Sequence, residues 1–121
     1  MSVDDIIYLH DRLVSANGGS FGIRDYGLLE SALCGCYQSF NGIELYPSPV
    51  EKAAWLVFSL CKNHPFVDGN KRTAVSTMVI FLQTMDLQLQ YSQQDLINLA
   101  LDIDNNRITY EEIVTWIKTR L

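Results

Sequence analysis

The sequence predicts an all-α protein of about six helices with one small flap, on the strength of two observations. Apolar residues recur at helical spacing along most of the 121-residue chain. Two segments, residues 50–63 and 70–85, are apolar almost all round, which is typical of buried helices. We therefore expect these two helices to form the core and the amphipathic helices to surround them.

Capping residues mark the outer helices. These helices are predicted over residues 3–15, 25–34, 92–102 and 109–121, and the residues that can cap them are Ser2, Asp25, Ser92 and Thr109. His10 falls on the first of these helices with no partner evident in the sequence, so we assign it a structural role. Arg24 directly precedes the second helix, where the simplest interpretation is a surface arginine.

Length and charge restrict the classes of function. A chain of 121 residues fits one domain, residues 1–121. The net charge of −5 and the isoelectric point near 4.8 argue against the basic face that nucleic-acid binding requires, so no direct nucleic-acid binding is expected. No apolar run reaches the ~18 residues of a membrane span and no secretory signal pattern is evident, so we expect a soluble, cytoplasmic protein. Three cysteines in such a chain favour ordinary thiols over disulfides or zinc.

One stretch of nine residues combines a histidine, a carboxylate, a glycine and two cations. It reads His64-Pro65-Phe66-Val67-Asp68-Gly69-Asn70-Lys71-Arg72. Pro65 should end the preceding helix by pushing His64 toward an extended conformation. Asp68-Gly69 is typical of a turn, after which a new helix is expected to begin near Asn70. The motif should therefore form a loop between the two core helices.

The end of this motif favours phosphate binding. The first N–H groups of a helix form an anion site, which the sequence places near Gly69 and Asn70. Lys71 and Arg72 oppose the helix dipole in that first turn, so we expect them to meet a bound anion.

The remaining polar residues of the motif suit catalysis on a phosphate. Asp68 is a hard oxygen ligand of the kind that binds Mg²⁺ together with substrate phosphates. His64 belongs to the residue type that most often exchanges protons near neutral pH, so it can take the proton of an attacking hydroxyl.

Residues 37–49 are predicted to be irregular with a small hairpin. Asn41-Gly42 lies between apolar residues, which is the best short-range hairpin signal in the chain.

Two other segments resemble known binding motifs but lack residues that those motifs require. The glycine-rich run at residues 17–22 lacks the Gly-Lys-Ser/Thr ending of a phosphate loop, so we interpret it as a flexible linker. Residues 102–106 begin like a calcium loop, but Arg107 and Ile113 stand where glycine and glutamate are needed.

At residues 64–72 the chain resembles the Fic/Doc family, whose motif is His-Pro-Phe-x-Asp/Glu-Gly-Asn-Gly/Lys-Arg. Lys71 makes it similar to the Doc branch, the toxins of bacterial toxin–antitoxin pairs, because AMP-transferring members mostly carry glycine there. Family-like sequence also occurs at residues 22–25, 28–32, 44–47 and 51–53, so the resemblance covers nearly the whole chain.

The resemblance implies a Fic/Doc-like helical bundle with the activity of a Doc-like protein kinase. A phosphoryl group would pass from ATP or another nucleoside triphosphate to a protein hydroxyl, with His64 as base and Asp68 holding Mg²⁺. Gly69, Asn70, Lys71 and Arg72 would bind the phosphates.

The resemblance also implies partners. The protein substrate would be a translation elongation factor, and a separate antitoxin would silence the toxin by folding a segment into a groove. Arg24 would face the active site, and the flap, with Asn41, Gly42, Ile43 and Glu44, would hold the target by strand-like pairing.

Two alternatives stay open. The first is transfer of AMP, which Lys71 disfavours, as does Val75 at the place where many AMP-transferring relatives carry a second arginine. The second is a non-catalytic module that only binds an antitoxin. No Ser/Thr-x-x-x-Glu inhibitory helix occurs in the sequence, so restraint is expected from another chain.

Overall fold

Six helices and one two-stranded hairpin make up the fold of this computed structural model, which describes residues 1–121. The helices are α1 (Val3–Asn17), α2 (Tyr26–Gly35), α3 (Pro49–Asn63), α4 (Asn70–Thr84), α5 (Gln93–Asp104) and α6 (Tyr110–Lys118). The strands β1 (Ser39–Phe40) and β2 (Ile43–Glu44) lie between α2 and α3 and pair antiparallel. The predicted all-α class with one small flap is confirmed.

The core lies between α3 and α4, as their composition predicts. Leu56 and Leu60 of α3 and Met78 and Phe81 of α4 are fully buried. α2 and α6 pack against α3, α1 packs against α4, and α5 touches both. The two most buried helices of the bundle are therefore the ones that the motif loop joins, which gives that loop two rigid ends.

The predicted caps are present. Ser2, Ser92 and Thr109 each form a reciprocal capping box with the acidic residue three positions on, and the Asp25 side chain accepts from the N–H of Leu28. The last helix ends at Lys118, so the prediction that it continues to the final residue is wrong. Arg120 turns back there, and its carbonyl accepts from the N–H of Gln90.

Pro65 ends α3 as predicted, but the conformation expected before it is wrong. His64 adopts a left-handed conformation, with φ 49° and ψ 60°, instead of an extended one. A left-handed residue at the end of a helix reverses the chain sharply and still avoids the right-handed region that a following proline disfavours. The motif therefore leaves α3 in a tight bend.

The three cysteines differ in exposure. Cys34 is exposed while Cys36 and Cys61 are buried, and none is paired. Burial raises the pKa of Cys36 to about 11 and that of Cys61 to about 12, so both stay protonated at neutral pH.

None of the six helices has the length and apolar character needed to cross a membrane.

Phe66 fixes the loop by inserting its side chain into the core. Only 2% of its surface is exposed, and its ring stacks on the imidazole of His10 in α1 at a centroid distance of 3.8 Å. Phe40 in the flap is a natural comparison, since 70% of its surface is exposed.

Phe66→Ala should lower the free energy of unfolding by about 3–5 kcal/mol, because it empties a buried aromatic site. Phe40→Ala makes the same chemical change at an exposed position and should shift it by less than about 0.5 kcal/mol. Urea unfolding followed by circular dichroism measures both. Equal effects of the two substitutions would contradict the assigned role of Phe66.

Candidate active site

Asn70 closes the motif loop with its side chain. Its Oδ1 accepts from the backbone N–H of Phe66 at 2.8 Å, and its Nδ2 donates to the Phe66 carbonyl at 2.9 Å. The side chain of Asn70 is thus used to shape the loop, which leaves its backbone N–H as the group that can meet an anion.

His10 supports the loop from α1. It is fully buried, and its Nε2 donates to the carbonyl oxygen of Asp68 at 2.7 Å. A carbonyl can only accept, so the Nε2 atom carries a proton. The Nδ1 atom lies 3.0 Å from a carboxylate oxygen of Asp11. The predicted structural role of His10 is confirmed, and its partner is a motif residue 58 positions away.

Asp68 is held by two backbone N–H groups. Its Oδ2 accepts from Ser20 at 3.0 Å and its Oδ1 from Gly69 at 2.8 Å. These hydrogen bonds, that from Ser20 first, lower the pKa of Asp68, because they favour the ionised form. Ser20 belongs to the glycine-rich run, so the prediction that this run is only a linker is wrong.

The start of α4 is open to an anion. Its N-cap, Gly69, has a φ of 77° and offers no side-chain cap, so the N–H groups of residues 70–72 have no protein partner. The N–H of Gly69 itself donates to Asp68. Arg72 is exposed and forms no ion pair, and both it and Lys71 border the same groove. The predicted anion-binding residues therefore lie together.

The donor set beside this anion site fits Mg²⁺ bound mainly by phosphates. Asp68 is an exposed carboxylate kept ionised by its hydrogen bonds. No group of three or more metal-binding side chains occurs in the structure. A single carboxylate suits Mg²⁺, which commonly keeps waters and substrate oxygens as its other ligands.

His64 is held through its backbone and its ring. Arg24 donates from Nε to the His64 carbonyl at 2.7 Å and from Nη2 to the carbonyl of Asn63. Arg24 thus lies at the motif, but it contacts the end of α3 and not the imidazole. The His64 ring lies 3.2 Å from Oδ1 of Asp104, at the end of α5.

Asp104 is the site residue that sequence analysis missed. Its other carboxylate oxygen, Oδ2, lies 3.7 Å from Nζ of Lys71, so it bridges the candidate base and a candidate phosphate ligand. The sequence singled out residues 102–106 only as an incomplete calcium loop. No local pattern indicates a contact with a histidine 40 positions earlier.

The predicted hairpin is confirmed, and its turn explains its sequence. Asn41 and Gly42 both have positive φ, 52° and 78°, as the favoured two-residue hairpin turn requires. Phe40 pairs with Ile43, and both side chains are largely exposed.

The flap is anchored to α3 by Lys52. The Nζ of this buried lysine donates to the Tyr46 carbonyl and lies 3.2 Å from a carboxylate oxygen of Glu44. Lys52 lies in the first turn of α3, whereas His64 follows its last residue. The anchor and the base are thus at opposite ends of a helix about 20 Å long. The docking role of the flap stays a prediction.

Comparison of the sequence with known proteins identifies its family. The sequence model described as "Fic/DOC family" matches residues 1–82, which include the whole motif and the residues that support it from α1. The chain belongs to the Fic/Doc family.

Two relatives of this Fic/Doc protein belong to the Doc branch. Toxin Doc of Mycolicibacterium smegmatis is 38% identical over 105 residues, which cover 87% of this chain and 72% of the relative. Protein kinase doc of Escherichia phage P1 is 27% identical over 118 residues, which cover 98% of this chain and 92% of the relative. The predicted resemblance to the Doc branch is confirmed.

Next to the motif, this Fic/Doc protein has a groove of about 1010 Å³ between α1, α4 and α5. Asp68, Lys71 and Arg72 border one part of it, while the rest is lined by apolar side chains such as Leu13 and Val79 together with uncharged polar ones. The groove therefore joins a charged site to a partly apolar surface.

Gly19→Ala should displace the Asp68 carboxylate, because an added Cβ would lie 2.9 Å from its Oδ2. Gly18→Ala is the matched control, since Gly18 also has positive φ but open space around the added atom. Hydrogen exchange at the Ser20 amide should accelerate roughly tenfold or more in Gly19→Ala alone, as the bond to Asp68 is lost. Similar rates in the two variants would show that the close contact is unimportant.

Lys52→Met should release the flap while keeping the apolar stem of the side chain packed. The loss of the charge-assisted hydrogen bond to Tyr46 removes about 1.5–3 kcal/mol of local stability. Exchange measured by mass spectrometry should therefore accelerate in residues 37–47 and stay unchanged in residues 64–72. Unchanged protection of the flap would mean that Lys52 is not its anchor.

Proposed function

We propose that this Fic/Doc protein is a toxin of a bacterial toxin–antitoxin system. We further propose that it is a protein kinase that transfers a phosphoryl group from a nucleoside triphosphate, such as ATP, to a protein hydroxyl. The names of its two relatives, Toxin Doc and Protein kinase doc, support the proposal. The observation that carries it is the uncapped start of α4, with Lys71 and Arg72 beside it and His64 at the other end of the same loop.

The residues of the chain suit each part of the reaction. The target hydroxyl gives its proton to His64, and its oxygen forms a bond to the terminal phosphorus while the bond to the nucleoside diphosphate breaks. The free N–H groups of residues 70–72, with Lys71 and Arg72, stabilise negative charge on the phosphates. Such transfer depends mainly on positioning and charge neutralisation, which a loop fixed at both ends provides.

Asp68 is the residue that would hold Mg²⁺, the cofactor of this proposal. When bound, the ion would neutralise phosphate charge. The chain itself keeps Asp68 ionised and in place through the N–H groups of Ser20 and Gly69.

The proposal includes partners and a location. An antitoxin segment that folds on binding would suit the groove between α1, α4 and α5, which offers apolar side chains from all three helices. The protein substrate in this proposal is a translation elongation factor, which requires a cytoplasmic location.

Intact-mass analysis of bacterial lysate proteins incubated with ATP and Mg²⁺ tests the reaction. Wild type should add a phosphate increment to a target, and His64→Ala should reduce the rate by about 10²–10⁴-fold, since it removes the base. An AMP increment would overturn kinase activity in favour of AMP transfer. His64→Ala must first be shown to be folded by circular dichroism.

Expression in bacteria tests the role as a toxin. Wild type alone should arrest growth, while His64→Ala should not. Equal growth of cells that produce either protein would favour a binding module without turnover.

A further inference from the structure

Asp104 is the only protein group that contacts the imidazole of His64 through a hydrogen bond. The distance from its Oδ1 to Nε2 is 3.2 Å, and no protein atom is hydrogen-bonded to Nδ1. A carboxylate accepts hydrogen bonds, so this contact favours the ring form that has its proton on Nε2. The Nδ1 atom then retains a lone pair and can accept a proton.

The place of Asp104 in α5 is electrostatically unfavourable. It is the last residue of that helix, where the dipole already puts partial negative charge. The same carboxylate lies near two groups that can carry positive charge. Lys71 Nζ is 3.7 Å from its Oδ2, and His64 Nε2 is 3.2 Å from its Oδ1. An acidic residue in this position is explained by its partners and not by the helix that carries it.

The pair is held from both sides. Arg24 fixes the backbone of His64, and Lys62 near the end of α3 donates to the side chain of Asn106, just after α5. The side chain of Asp104 is 27% exposed, so its charge is partly shielded from water. The ends of α3 and α5 therefore keep the carboxylate and the ring at a fixed separation.

We propose that Asp104 is a positioning residue that orients His64 for catalysis by holding its Nε2 proton, which leaves Nδ1 to take the proton of the attacking hydroxyl. The carboxylate also stabilises the imidazolium that forms when Nδ1 is protonated. The proposal rests on the proposed function, because that function makes His64 the base. It goes beyond it by adding a residue of α5, outside the motif, to the site.

Nitrogen NMR of the histidine rings tests the orientation directly. The chain has only two histidines, so His64→Gln identifies the signals of His64. At a pH where the ring is neutral, wild type should show Nε2 protonated and Nδ1 bare. Asp104→Asn should change this pattern, because the amide can donate to Nε2 and so stabilise the opposite tautomer.

Asp102→Asn is the matched control, since it makes the same change two positions earlier. Asp102 pairs with Arg107 at 3.1 Å on the surface and does not touch His64. Its substitution should leave the ring signals of His64 unchanged. Identical signals in wild type, Asp104→Asn and Asp102→Asn would overturn the inference, as would a wild-type ring protonated on Nδ1.

The transfer assay provides the second measurement. Asp104→Asn should lower kcat by about 10–100-fold with little change in KM for the nucleotide, a range typical of residues that orient a reactive group. Asp102→Asn should stay within about twofold of wild type. A faster Asp104→Asn variant would overturn the inference, because Asp104 would then restrain His64 and Lys71. The ring measurement needs no substrate, so it decides the orientation even where the proposed kinase activity fails.

Discussion

The insertion of Phe66 between the core and His10 is the interaction on which the site depends. The motif must reverse the chain between two buried helices while leaving the uncapped start of α4 open to solvent. The ring of Phe66 fixes the middle of this turn, and Asn70 ties its backbone to the start of α4. His10 then packs on Phe66 and holds the carbonyl of Asp68. One buried aromatic side chain thus determines where the surrounding polar groups lie.

Around this fixed turn, three loops or helix ends contribute further contacts. The glycine-rich run provides the N–H of Ser20 to Asp68, and the segment before α2 provides Arg24 to the carbonyl of His64. The end of α5 provides Asp104 to the imidazole. The motif therefore contains the proposed reacting groups, whereas the contacts that hold them come from distant parts of the chain.

The sequence predicts the local features well because their causes are local. Helix caps, the buried character of α3 and α4, the hairpin turn at Asn41 and the grouping of Lys71 and Arg72 all follow from neighbouring residues. The contacts of His10 and Asp104 with the motif join residues 58 and 40 positions apart, so they depend on how helices pack. The left-handed conformation of His64 also escaped prediction, because proline rules exclude one backbone region without choosing among the others.

The site concentrates charges at the helix ends that disfavour them. Lys71 and Arg72 stand at the positive end of α4, and Asp104 stands at the negative end of α5. Lys71 and Asp104 offset these costs by pairing at 3.7 Å, but Arg72 has no ion pair. A neutral residue in place of Arg72 would relieve repulsion in the free protein, so thermal resistance opposes the proposed phosphate binding at this position. Laboratory evolution toward heat tolerance, carried out without selection for catalysis, would therefore favour a neutral residue in place of Arg72.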